Sequence, residues 1–481
     1  MASKQLPSIV KTQNFVAGKW TAKGNGTLTV LHKYTGKPLA ELPLATPAQM
    51  ESAIQAAFAA RKAFGAWSAA KRQQHLQRLY DLLKERREAF VDLIVQEAGK
   101  PLGYAQNEVE RCLITLGTAA AETVRFGGEV VPLDFAAGEG KTAFTKRFPV
   151  GVVACITPFN FPLNLVLHKV APALATGCPI LLKPAPQAPL VALAFTALVE
   201  EAGYPKGVIS TFLCDNAVAE TMVRDERVAL LSFTGSDKVG WFLKSICGKK
   251  KVALELGGNA AVIIDEGSDL ALAAKQIAVG AFLYAGQICI STQRIYVVAS
   301  VFEAFQKLLV KETKALKTGD PAQKDVLVGP IIDAGHLERI AQWVREAKAG
   351  GAKVLVGGKI LDQAHNLYAP TLMTQVPTDS NVVCAEVFGP VAILEPVDSF
   401  QAAIDRTNDS HYGLQAGVYT NNLAHMRLAH NELEVGGVII GGIPGFRVDS
   451  MPYGGVKDSG LGREGLRYAM KDMTEPRLLV Y

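Results

Sequence analysis

Apolar residues along this chain follow two rhythms, which change over near Val152. Before that point the helical rhythm dominates. Thr46-Pro-Ala-Gln49 supplies an N-cap residue, a proline at the first helical position and a capping-box glutamine, and Ile54 and Phe58 follow at helical spacing. A second amphipathic run carries Leu76, Tyr80, Leu83 and Phe90, and Gly99 and Pro101 stop it. A short β-rich stretch from Phe15 to Leu42 precedes both. From Val152 onward, short apolar runs at 151–156, 179–182, 208–212, 229–233, 252–254 and 261–264 predict buried strands. Helical segments of roughly ten residues separate several of them. This alternation predicts a parallel, doubly wound sheet with ligands at the carboxyl ends of its strands. A second set follows Asp265: an apolar helix to Tyr284, a strand at 294–298, a helix through Leu309, and strands at 391–394 and 438–440. The predicted fold is therefore α/β, with two doubly wound domains meeting at Leu254-Glu-Leu-Gly-Gly-Asn259. Residues 130–148 and the segment from Met470 predict a peripheral hairpin and a terminal strand, each suited to pairing with a second subunit.

Composition narrows the function classes. A length of 481 residues requires more than one core, and 49% hydrophobic against 20% charged residues is ordinary for a packed, water-soluble protein. The net charge is only +5, and the one basic run, Lys249-Lys-Lys251, reads as a solvated approach to a strand. Nucleic acid is not an expected partner. MASKQLPSIV lacks the apolar centre of a signal peptide, and no apolar window is long enough to span a bilayer. Seven cysteines, odd in number and without a CxxC pair, fit free thiols in a reducing cytoplasm. The eight histidines form no HExxH or HxxxH cluster, so no metal is expected.

Three residues have a local argument for chemistry. Cys289 lies between an apolar helix and a strand, where a loop held by rigid elements places a nucleophile well, and Gly286 lets the backbone turn sharply before it. Packing alone is the competing reading for a cysteine in such surroundings. Glu255, at the end of an apolar strand, is costly to bury without a role; an ion pair across the domain boundary is the alternative. Asn160 stands between two prolines at the end of the first sheet strand, either aimed at a developing oxyanion or capping the next helix.

Pro158-Phe-Asn-Phe-Pro162, Leu182-Lys-Pro-Ala185, Phe233-Thr-Gly-Ser236, Glu255-Leu-Gly-Gly-Asn259, Gly286-Gln-Ile-Cys289, Glu386-Val-Phe-Gly-Pro390 and Pro452-Tyr-Gly-Gly-Val-Lys-Asp-Ser-Gly460 together resemble the aldehyde dehydrogenase superfamily. The order and approximate spacing match over nearly the whole chain. The resemblance implies oxidation of an aldehyde to a carboxylic acid with hydride transfer to NAD or NADP. Cys289 would form a thiohemiacetal and then a thioester, Asn160 would hold the oxyanion, Glu255 would activate the hydrolytic water, and Lys169 would serve a proton relay or a structural role. It implies a Rossmann-like cofactor domain (1–129 and 149–254, with 445–469 returning to it), a catalytic domain (255–444), and oligomerisation strands at 130–148 and 470–481. Lys183 would meet the adenosine ribose, Ser236 the pyrophosphate and Glu386 the nicotinamide ribose, with Phe388 beside the ring. Thr157, Pro158, Phe159, Pro186, Leu256 and Gly257 would complete the cofactor site, with Gly235 and Gly240 permitting close backbone approach. A homodimer or homotetramer is implied.

Two features depart from the pattern or mislead. Pro186 stands where NAD-preferring relatives commonly carry a glutamate, which implies use of both cofactors or a preference for NADP. Gly460-Leu-Gly-Arg-Glu-Gly465 matches GxGxxG, but follows a loop and leaves too little chain for a βαβ unit. It reads as a glycine-rich tail near the site entrance. Substrate contacts are expected from Phe161, Ile288, Ile290 and Arg447, the one charge expected near the entrance. Arg447 would bind an anionic or hydroxylated aldehyde, or pair with Asp449. The segment resembles the lactaldehyde and non-phosphorylating glyceraldehyde phosphate dehydrogenase branch. A CoA-acylating enzyme is one alternative, opposed by the presence of Glu255; a silent structural relative is another, opposed by the intact motifs.

Overall fold

The computed structural model describes residues 6, 7 and 9–481, so most of the N-terminal run read for a signal peptide lies outside the described residues. The capping box forms as the sequence requires. Thr46 Oγ1 accepts from Gln49 N, and Gln49 Oε1 accepts from Thr46 N, at the head of helix Pro47–Gly65. The second amphipathic run is two helices, Ala69–Glu85 and Arg87–Ala98, rather than one. Arg86 leaves helical geometry (φ −107°, ψ 17°) between them, and its guanidinium is held by Glu201. The turn sinks the second helix so deeply that Leu93 to Ala98 are all buried, which an amphipathic pattern cannot announce.

The first large sheet has eight strands, in the order Lys19–Thr21, Asn14–Val16, Ile209–Thr211, Ile180–Lys183, Val152–Ile156, Val228–Thr234, Lys251–Glu255 and Gly460–Leu461. Its middle five strands are parallel; four are almost wholly buried, as their continuous apolar runs demand, while Lys251–Glu255 is half-buried over its first three residues. The parallel, doubly wound core is as the alternation predicts, and antiparallel strands are added at its edges. Neither edge is reached through a crossover helix, so strand direction there is not forced. The chain runs outward from Val152–Ile156 to Ile209–Thr211, then returns to the other side at Val228–Thr234. That reversal opens a crevice beyond the carboxyl ends of the two central strands.

After residues 256–260 the chain enters a seven-stranded sheet, ordered Lys353–Val356, Thr371–Thr374, Val391–Val397, Arg294–Val298, Ala261–Ile264, Gln415–Tyr419 and Gly437–Ile440. It too is parallel except at one edge, where Lys353–Val356 runs antiparallel. A third sheet joins Val130–Val131, Ala143–Pro149 and Thr474–Val480. The terminal strand starts at Thr474 and not at Met470, because helix Leu466–Asp472 intervenes. Among the described residues, no helix is long and apolar enough to cross a membrane.

Candidate active site

A cavity of about 950 Å³ receives Thr234 and Glu255 from the first large sheet, and residues from the helices and loops around the second. At one end stands Cys289, placed by a strained turn. The preceding helix, Leu270–Phe282, stops short of the expected Tyr284, because Tyr284 and Ala285 adopt left-handed backbone (φ 55° and 53°). Such residues cost about 1–3 kcal/mol each and persist only where the surroundings hold them. Here the buried Tyr284 donates its hydroxyl to Ala98 O at 2.8 Å. Gly286 continues the turn at φ 67°, and a Cβ there would lie 2.2 Å from Gly389 O, so glycine is required.

The Cys289 thiol lies 3.1 Å from the Tyr453 hydroxyl. Burial pushes its pKa up to about 12, with the Tyr453 hydrogen bond and Arg447 pulling it back only in part. The resting site therefore holds a thiol, and ionisation needs a base. Below the pKa the thiolate fraction rises with pH, so alkylation of Cys289 by iodoacetamide is expected to accelerate about tenfold per unit between about pH 7 and 9. A rate that levels off within that range would mean that the thiol ionises near the pKa of a free cysteine.

Glu255 ends its strand 4% exposed, and among the described residues its Oε2 has no hydrogen-bond partner. Burial, then the Glu464 carboxylate, raise its pKa well above the usual range, against the pull of Arg447 and Lys169. The ion-pair reading of Glu255 is not met: among the described residues it has no salt-bridge partner. Asn160 donates through Nδ2 to Gln287 O at 3.2 Å, beside the nucleophile's own loop, and its buried Oδ1 has no partner among the described residues. It does not cap the following helix, Asn164–Thr176. Glu108 does that instead, accepting from Leu163 N and Asn164 N at 3.0 Å each.

Lys169 is buried behind this centre, donating to Ser232 Oγ and Glu464 Oε1 at 3.0 Å each. Glu464 also accepts from Arg447 Nη2 at 3.0 Å, which corrects the expected Arg447–Asp449 pair. Burial opposes ionisation of Glu464, but Lys169 and Arg447 outweigh it and keep the carboxylate charged. The Arg447 guanidinium lies 3.7 Å from the centroid of the Tyr453 ring, and its Nε is buried without a partner among the described residues. Arg447 is not the one charge on the cavity: Arg111 lines it too, and takes Asp449 at 3.0 Å. Phe161, Ile288 and Ile290 line the same end.

The other end is built from the crevice between the central strands. Pro158 and Phe159 line it from one strand, Thr234, Gly235 and Ser236 from the other, with Leu256, Gly257, Glu386 and Phe388 opposite. Ser236 occupies the N-cap position of helix Asp237–Ile246 but makes no side-chain capping bond. Thr234 Oγ1 is buried and, among the described residues, unpartnered. Glu386 accepts from Gly258 N at 3.1 Å, and a Cβ on Gly257 would strike its carboxylate at 2.4 Å. Gly240 serves packing rather than ligand approach, since its Cβ would lie 2.3 Å from Leu256. Lys183 and Thr157 are buried at the strand ends without lining the cavity. Pro186 is exposed, and its neighbours Ala185 and Gln187 face the cavity in its place.

Tyr453, Glu464 and Arg111 join the site without a role that the sequence alone assigns them. Tyr453 stands inside the Pro452-Tyr-Gly-Gly motif, and Glu464 inside the GxGxxG run rejected as a cofactor loop. That run opens with the edge strand Gly460–Leu461, paired antiparallel with the strand of Glu255, and its Glu464 bridges Tyr453. Arg111 sits in a long helix, Leu102–Thr123, with no local signal.

Comparison with known proteins converges on one family. The aldehyde dehydrogenase family matches residues 20–479. The 3-sulfolactaldehyde dehydrogenase of Priestia megaterium is 43% identical, covering 97% of each chain. Aldehyde dehydrogenase 21 from Physcomitrella patens, solved in complex with the reaction product succinate, superposes with a TM-score of 0.94 at 40% identity, covering 98% of each chain. Betaine aldehyde dehydrogenase from Staphylococcus aureus, solved in complex with NAD+, gives a TM-score of 0.94 at 31% identity, over 98% of this chain and 94% of the other.

Proposed function

Since this chain belongs to the aldehyde dehydrogenase family, we propose that it oxidises a short aldehyde carrying an anionic tail, with Cys289 as nucleophile and water as acyl acceptor. The observation that carries the reading is the meeting of Cys289, Asn160 and Glu255 with the Thr234–Ser236 crevice in one cavity. The net reaction takes an aldehyde, water and NAD(P)+ to a carboxylate, NAD(P)H and protons.

The second end of the cavity fits a nicotinamide dinucleotide. The uncapped helix start at Ser236 suits a pyrophosphate, while Glu386 and the orphaned Thr234 hydroxyl suit a ribose. The bound oxidised ring supplies a hydride acceptor. Cys289, ionised by Glu255 or through water, attacks the carbonyl carbon, and its Sγ–C bond makes a thiohemiacetal. Asn160 Nδ2 and the Cys289 backbone amide hold the oxyanion. Loss of hydride from that carbon leaves the thioester on Cys289. Glu255 then takes a proton from water, whose oxygen attacks the thioester and releases the acid and the thiol. The raised pKa of Glu255 makes it a stronger base once it has lost its own proton.

The anionic tail follows from the charges around the cavity. At the Cys289 end, Lys169, Arg111 and Arg447 face the carboxylates of Asp449 and Glu464, three cations against two ion-paired anions, and burial disfavours a charge on Glu255. Arg447 Nε has no acceptor among the described residues. The sulfonate in the name of the Priestia relative's substrate and the succinate bound to the moss enzyme point the same way. Gln187, facing the cavity beside exposed Pro186, carries no charge to repel a 2′-phosphate, so both NAD and NADP are accepted. A spectrophotometric panel tests these points together. 4-Oxobutanoate is expected to exceed butanal in kcat/KM by about tenfold or more, with either cofactor and without CoA. Equal values for the two aldehydes would remove the anionic tail, turnover with NAD alone would remove dual use, and dependence on CoA would remove hydrolysis.

The third sheet presents Val130, Leu478, Leu479 and Tyr481 to solvent, a surface suited to a second copy of the chain. Sedimentation is expected to show a dimer or tetramer, and a monomer at micromolar concentration would contradict that reading.

A further inference from the structure

Two consecutive residues of helix Asn164–Thr176 each meet a carboxylate, and each carboxylate holds an arginine of the cavity. Lys169 binds Glu464, which holds Arg447. His168 binds Asp449, which holds Arg111. The series His168–Asp449–Arg111 touches none of Cys289, Glu255 or Asn160 by hydrogen bond, and no bond-making step uses it.

Its geometry is nonetheless fully specified. Asp449 is 4% exposed, in the loop that brings Arg447 to the cavity. Its Oδ1 accepts from Arg111 Nη2 at 3.0 Å and lies 3.2 Å from His168 Nε2, and its Oδ2 accepts from the Thr115 hydroxyl at 2.6 Å. The loop is pinned at the same residue by Leu466 N donating to Asp449 O at 3.1 Å. Burial and the nearby Arg447 keep His168 neutral. Both groups facing its Nε2, Asn164 Oδ1 at 3.1 Å and Asp449 Oδ1 at 3.2 Å, are acceptors, so that nitrogen carries the hydrogen. His168 therefore orients the carboxylate without cancelling its charge, and the cation that answers Asp449 is Arg111. Thr115 lies one turn from Arg111 on the same helix, its hydroxyl oxygen 3.0 Å from Arg111 O, and its single hydrogen goes to the shorter contact with Asp449 Oδ2. Carboxylate, hydroxyl and guanidinium thus fix one another, and Arg111 keeps N–H groups beyond Nη2 for the cavity that it lines.

We propose that Asp449, oriented by His168 and Thr115, is a specificity-determining positioning residue that holds Arg111 against the cavity to receive the anionic tail of the substrate. This rests on the reading of Arg111 and Arg447 as anion-facing groups. Without Asp449 a long, partly exposed arginine takes many rotamers, and the ordering must come out of substrate binding. The effect therefore falls on anionic aldehydes and on KM more than on kcat.

The test is the ratio of kcat/KM for 4-oxobutanoate to that for butanal in the wild type and in Arg111→Leu, Asp449→Asn, Thr115→Val and the double variant Arg111→Leu/Asp449→Asn. Arg111→Leu and Asp449→Asn are each expected to lower the ratio about tenfold through KM, Thr115→Val less but in the same direction, and the double variant no further than Arg111→Leu alone. If Asp449→Asn does not fold, the Thr115→Val ratio carries the test. A lowered ratio for Arg111→Leu, with both aldehydes affected equally by Asp449→Asn and Thr115→Val, overturns the proposal and leaves Asp449 a structural residue. An unchanged ratio for Arg111→Leu overturns the anion-facing reading beneath it.

Discussion

Glu255→Gln is expected to lower steady-state kcat by about 10³-fold while leaving a rapid burst of reduced cofactor close to one per active site. The isosteric amide keeps the packing at the end of strand Lys251–Glu255 but cannot take a proton from water. Glu255 is buried among Glu464, Arg447 and Lys169, and no other carboxylate there is free to replace it: Glu464 is held ionised between Lys169 and Arg447. A group locked in two ion pairs is a poor base, whereas Glu255 Oε2 has no hydrogen-bond partner among the described residues. Stopped-flow absorbance separates the two phases. A variant that loses the burst in proportion to its turnover would place Glu255 before hydride transfer, as the base for Cys289 alone.

Cys289→Ala carries the largest expected effect, a fall in aldehyde oxidation of roughly 10⁵-fold or more, to the buffer background. The thiol occupies a loop whose backbone strain is maintained by Tyr284 and Gly286, neither of which contacts substrate chemistry directly. Such strain is retained because the surroundings over-determine it. Removing one Sγ leaves the Thr234–Ser236 crevice and Glu386 untouched, so binding of the reduced cofactor, followed by fluorescence, is expected to persist. Loss of both together would mean that the variant has lost the site's structure rather than its nucleophile.

Much of this was legible along the chain because the deciding features are local. Continuous apolar runs announced the central strands, Thr46 and Gln49 announced a helix start, and Gly286 announced a turn that only glycine closes. What was not legible is carried by contacts between distant segments. Arg111 and Asp449 meet across 338 positions, and Lys169 and Glu464 across 295, with neither pair marked by spacing. Arg447 was expected to pair with its near neighbour Asp449, yet folding gave each a different partner. Sequence proximity is a weak guide once a loop packs against two helices. Glu464 is hidden for another reason: it stands among glycines that match a nucleotide loop, and nothing local distinguishes the acid between them. The added strands are hidden because an antiparallel edge leaves no mark in an apolar run.

The central claim is that aldehyde oxidation passes through an acyl group on Cys289 which water, activated by Glu255, removes. Intact-protein and peptide mass spectrometry on Glu255→Gln, quenched in acid after mixing with 4-oxobutanoate and the oxidised cofactor, tests it most directly. The expected result is a mass increase equal to the acyl group, located on Cys289, in a one-to-one ratio with reduced cofactor formed. Reduced cofactor without an adduct, or an adduct on another residue, would contradict it.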